Sequence, residues 1–139
     1  MNIRFFTNHL QTIFDDFLTT TFTDLTSLQD STYRIETFPN NIEASDSSTL
    51  YCFISLQDIS VDKISTIDSL CSYKVIVTFA AKQQLVDFVM KYSELFDRFF
   101  DFVVSIFFSS NCKISEFIFD EQSDTSICTF EFMVAENLQ

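Results

Sequence analysis

The sequence holds no glycine in 139 residues, one proline and one histidine. At the usual abundance of about 7%, roughly ten glycines would be expected. Their absence removes whole classes of chemistry. Phosphate-cradling loops, dinucleotide fingerprints and nucleophile elbows need glycine where backbone turns with positive φ or approaches a ligand closely, and none can be built here in its usual form. The lone histidine, His9, sits beside the apolar stripe of the first predicted helix, with no Ser, Cys or carboxylate partner that sequence can place near it. A structural histidine therefore outweighs a general base, and His9 cannot assemble a multi-histidine metal site alone.

Basic residues are also scarce, 8 against 20 acidic ones, for a formal charge of −12. That balance disfavours direct nucleic-acid binding, which depends on Lys and Arg neutralising phosphate. Acidity can instead serve solubility, repel DNA from a lumen or mimic DNA in a basic groove. The densest acidic elements are only Asp15-Asp16 and Asp120-Glu121, with Asp124 nearby, which reads as a solvated surface. Glu94-Asp97 is likewise ordinary helix surface, and Glu94 and Arg98 have the i,i+4 spacing of a stabilising pair. Asp58-x-x-x-Asp62 lacks the glycine and terminal glutamate of a calcium-binding hand.

Long apolar runs are missing too. The best, Phe99 to Phe108, is ten residues long and contains Asp101 and Ser105, too short to span a bilayer. A soluble protein without membrane contact is expected. The start, Met1-Asn2-Ile3-Arg4, lacks a signal peptide's layout, since Asn8, His9, Gln11, Asp15 and Asp16 interrupt the apolar residues beyond it. Cysteines occur at 52, 71, 112 and 128, with separations of 19, 41 and 16 positions. No close pair offers local metal ligands. They read as buried, reduced thiols of a cytosolic product, and a disulfide such as Cys52 to Cys128 across neighbouring strands stays open. No catalytic, cofactor-binding or metal-ligating residue is assigned, and enzyme activity is disfavoured.

What is present is core. Hydrophobic residues make up 47% and aromatics 17%, including 19 phenylalanines, which suits one domain over residues 1–139. Ile3, Phe6, Leu10, Ile13, Phe14, Phe17 and Leu18 form one helical stripe, predicting a helix over about 3–19; a further turn through Leu25 and Leu28 is open. The β-branched run Thr19 to Thr23 should weaken it. Tyr33 to Phe38 reads as a short strand ended by Pro39, with an exposed loop over Asn40 to Ser48 after it.

Thr49 to Leu56 and Leu70 to Phe79 read as strands, with Cys71, Tyr73, Val75, Val77 and Phe79 on one apolar face. Gln57 to Ser69 reads as a long connection and a protruding arm. Leu85, Phe88, Val89, Tyr92, Leu95, Phe96 and Phe99 mark an amphipathic helix. Phe99 to Phe108 fits either continuation, and its β-branched and aromatic density favours a strand. Lys113 to Phe119 and Ser126 to Ala135 flank a turn and form an antiparallel hairpin. The expected fold is α+β, a mainly antiparallel sheet with the N-terminal and second amphipathic helices packed on one face.

The first helix ending before Tyr33 to Phe38, the strand Leu70-Cys-Ser-Tyr-Lys-Val-Ile-Val-Thr-Phe79 running into the helix from Ala81, and the closing Cys128-Thr-Phe-Glu-Phe-Met-Val134 set an element order. Taken whole, that order resembles the tail terminator and tail-completion proteins of long-tailed bacteriophages. The resemblance implies a virion protein assembled in the host cytoplasm, forming a hexameric ring that caps the tail tube and docks it to the head connector or head-completion protein. It implies DNA only as passing cargo, with acidic residues facing the channel, and it transfers no catalytic residue or cofactor. The competing expectation is a small acidic inhibitor or adaptor occupying a basic groove on a host nucleic-acid-binding protein, through a salt-sensitive one-to-one complex.

Overall fold

The computed structural model describes residues 3–36, 47–63, 65, 69–107 and 111–138. Helix α1 spans Ile3–Asp24 and buries Leu10, Phe14, Leu18 and Thr21 at the helical period. It passes through the threonine run despite the low helix propensity of those residues. The Thr21 and Thr23 hydroxyls donate to the Phe17 and Thr19 carbonyls at 2.8 Å, so these polar groups are satisfied within the helix itself. A 3₁₀ turn over Thr26–Leu28 comes next and brings Leu25 and Leu28 into the core. The Gln29 amide closes the helix end, donating to the Thr23 carbonyl at 3.0 Å and to those of Phe22 and Leu25 at 3.4 Å.

Strand β1 covers Thr32–Glu36, β2 Thr49–Lys63 and β3 Ser69–Ala81. Helix α2 covers Leu85–Phe107, and β4 and β5 cover Lys113–Asp120 and Thr125–Leu138. The five strands form one sheet in the order β1-β2-β3-β5-β4. β1 runs parallel to β2 and every other pair is antiparallel, so the fold is α+β as expected. Pro39 and the expected loop from Asn40 as far as Asp46 lie outside the described residues.

The alternation of β3 decides which face is core. Cys71, Tyr73, Val75, Val77 and Phe79 are buried under the helices, flanked by Cys52 and Ile54 of β2 and by Cys128, Phe130, Phe132 and Val134 of β5. Phe99 of α2 is the hub. Its ring lies 5.5 Å from Phe14 and Phe17 of α1, 5.1 Å from Phe79 and 4.8 Å from Phe130. The tilted and edge-on geometry is the favoured one for aromatic pairs. The opposite face carries a smaller buried group, Tyr51, Phe53 and Ala80 with Ile127 beside them.

Two expectations are corrected. Phe99 to Phe107 is helix, not strand; Phe108 lies outside the described residues. Phe99 and Val103 continue the stripe and are fully buried, whereas Asp101, Val104, Ser105 and Ile106 face solvent. Packing at a period of 3.6 residues overrides local β propensity, which depends on the surface offered. The stretch from Gln57 to Lys63 is also strand rather than connection. β2 continues to Lys63, β3 begins at Ser69, and β5 pairs with β3 as far as Leu138. That end of the sheet is three strands wide.

Glycine's usual posts are taken by aspartate. Asp58 and Asp124 have φ of 54° and 53°, in the left-handed region that Asp tolerates better than most residues. Asp124 ends the β4–β5 turn. There the Asp120 carboxylate accepts from the Gln122 amide and the Ser123 hydroxyl at 3.1 Å each, so side chains hold a turn that needs no glycine.

Candidate interaction surfaces

Asp58 also makes a β-bulge. Gln57 pairs with Lys74 and Ser60 with Ser72, leaving Asp58 and Ile59 together opposite Tyr73. One extra residue flips the parity of the strand. Ile59 and Val61 therefore stay on the face of Ile54 and Leu56, although a regular strand would send them to the other side. β1 pairs with β2 only from Thr49 to Phe53. Among the described residues nothing pairs with the outer edge of β2 from Ile54 to Lys63, and Ile59 and Val61 are 39% and 46% exposed there. An uncapped edge with exposed apolar residues is a template for another chain.

The carboxylates and histidine singled out in the sequence do not converge. His9 is exposed on α1, and so are Asp15 and Asp16. Asp15 accepts from the Tyr33 hydroxyl at 2.7 Å, which ties α1 to β1. Burial raises the Tyr33 pKa, and its place beside Asp15 adds to that rise. Asp58 and Asp62 are exposed on one strand, where a rise of about 3.4 Å per residue holds them too far apart to share a cation. Arg98 bonds Glu94 at 3.5 Å, in keeping with their spacing, and it also reaches Asp24 of α1 at 3.7 Å.

All four cysteines are buried and none is in a disulfide. Cys52 and Cys128 are not on neighbouring strands, because Phe79 of β3 pairs with both. Their Cα atoms stand two strand spacings apart, roughly 9.5 Å, beyond the disulfide limit of about 7 Å. Burial pushes the Cys112 and Cys128 thiols up to about 11 and 12, and Cys52 higher still.

Two concavities were not visible in the sequence. On the face away from the helices, Glu131 of β5 receives Lys74 at 3.3 Å and Lys113 at 3.8 Å, within a hollow of about 600 Å³ that Asp58 and Asn111 also line. Cross-strand register brings these three together, and sequence separation concealed it. On the helix side, a groove of about 470 Å³ runs between α1 and α2, lined by Ile13, Phe17, Phe102 and Ile106, with Asp16 and Arg98 among its other lining residues. Elsewhere on α2, Val86 and Met90 stand 69% and 77% exposed. Their i,i+4 spacing away from the main stripe was a signal available in the sequence.

A scan of protein-family models and a search of curated proteins each find no match to this chain. Among the described residues, no helix is long and apolar enough to cross a membrane, and no group of three or more His, Cys, Asp or Glu could hold a metal ion.

Proposed function

We propose that this chain is a structural virion protein of a tailed phage, a tail terminator or head-to-tail joining protein that forms a ring at the end of the tail tube. The observation that carries the reading is the β2 edge from Ile54 to Lys63, which no described residue pairs and which bears exposed Ile59 and Val61. Ring closure covers such edges without leaving a growing end. The element order, with two helices on one face of a mainly antiparallel sheet, supports it further. The charge of −12 suits a channel that DNA passes without sticking.

Light scattering and negative-stain imaging of the purified chain test the proposal. Rings that bind tail tubes are the expected result. A strict monomer at high concentration that also ignores tail tubes overturns it.

A second reading, the acidic inhibitor, draws on Asp15, Asp16 and Asp24 of α1 and Asp87, Glu94, Asp97 and Asp101 of α2, all exposed. It predicts a one-to-one complex with a basic host protein that weakens as salt rises. Pull-down from host lysate at two salt concentrations separates it from the first reading.

A further inference from the structure

We propose that copies of this chain associate head to tail, with Val86 and Met90 of one copy seated in the α1–α2 groove of the next. The inference rests on the self-assembling reading and names a contact for it. Met90 and Val86 are the two most exposed large apolar side chains among the described residues, at 77% and 69%. They lie one turn apart on α2, so they form a single apolar knob. The groove has the complementary character, with a floor of Ile13, Phe17, Phe102 and a 47% exposed Ile106.

The one acidic and one basic residue beside each surface suit a second copy docked in a single orientation. Asp87 and Lys91 run along one side of the knob, one turn apart, and the groove carries Asp16 from α1 and Arg98 from α2. Seating the knob with Lys91 toward Asp16 places Asp87 toward Arg98, so both charges of that row meet the opposite sign. The ion pairs that Arg98 makes with Glu94 and Asp24 are exposed and exchange at little cost. Knob and groove occupy different parts of the same molecule. The contact is therefore heterologous, and its repetition generates a ring or a filament rather than a closed pair.

Sedimentation of two single variants and their mixture tests this. Met90→Glu spoils the knob and leaves the groove intact, while Ile106→Glu does the reverse; both sites are solvent-exposed, and circular dichroism confirms folding. Each variant alone is expected to assemble far more weakly than the wild type, and an equimolar mixture is expected to regain association, because one good knob then meets one good groove. Lys91→Glu and Asp16→Lys should each weaken assembly about tenfold, and their combination should recover most of the loss. Assembly by both single variants as well as the wild type, or a mixture that stays monomeric, overturns this contact while leaving the ring proposal standing. A wild-type chain that neither assembles nor binds tail tubes removes both.

Discussion

Cys52 and Cys128 face the same core from strands that are not neighbours, with Phe79 between them. The arrangement makes a thiol inventory informative. All four cysteines are buried, so the folded protein should react with a thiol reagent slowly and completely only after denaturation. Oxidants should not create a Cys52 to Cys128 crosslink without unfolding. Mass spectrometry of alkylated native and denatured samples reads both outcomes.

The same thiols predict alkaline sensitivity. Burial raises Cys112 to about 11 and Cys128 to about 12 from an ordinary 9. Above pH 9 the unfolded chain releases these protons while the folded chain keeps them. The unfolded state then binds fewer protons, so stability falls as pH rises. For Cys128, which is fully buried, the slope is about 1.4 kcal/mol per pH unit until its folded value is reached. Denaturant unfolding at several alkaline pH values should show a shallower decline in Cys128→Ala than in the wild type.

Asp58 and Asp124 should behave as backbone devices. Asp124→Gly is expected to be neutral to slightly stabilising at φ of 53°, because removal of the Cβ offsets the added chain entropy. Asp124→Val should cost about 1–2 kcal/mol, since a β-branched residue resists the left-handed region. Asp58→Val should do the same and disturb the bulge. Chemical denaturation of these variants measures the difference.

Val104 separates helix from strand over the segment whose sequence fits either. It is exposed within α2, so Val104→Ala should raise stability by a few tenths of a kcal/mol through helix propensity. Val104→Pro should cost about 3 kcal/mol or more by breaking the helix interior. If the segment were an exposed strand, Val104→Ala would instead destabilise. Thermal unfolding with far-ultraviolet circular dichroism decides between them.

Phe99→Ala should cost about 3–5 kcal/mol, as for other large aromatics removed from a close-packed core. Its ring touches both helices and two strands, at 5.5 Å from Phe14 and 4.8 Å from Phe130. The half-buried Phe100 packs against Phe130 at 6.2 Å, and its replacement should cost clearly less. Paired equilibrium unfolding curves give the comparison.

By itself the sequence determined the class of fold and most of its elements. The stripe Leu10, Phe14, Leu18 and the alternation Cys71 to Phe79 are local periodicities, and a period of 3.6 or 2 commits a segment to a helix or a half-buried strand before any partner is known. It also determined that glycine-dependent sites in their usual form are excluded. Only the tertiary structure decided that Phe99 to Phe107 is helix, because the choice turned on packing against Phe14, Phe17 and Phe130, which lie far away in the chain. Strand order likewise placed Phe79 between Cys52 and Cys128, and register brought Lys74, Lys113 and Glu131 together. The bulge at Asp58 kept Ile59 and Val61 on the core side because one inserted residue reverses alternation, a shift that becomes visible only when the neighbouring strand supplies the register.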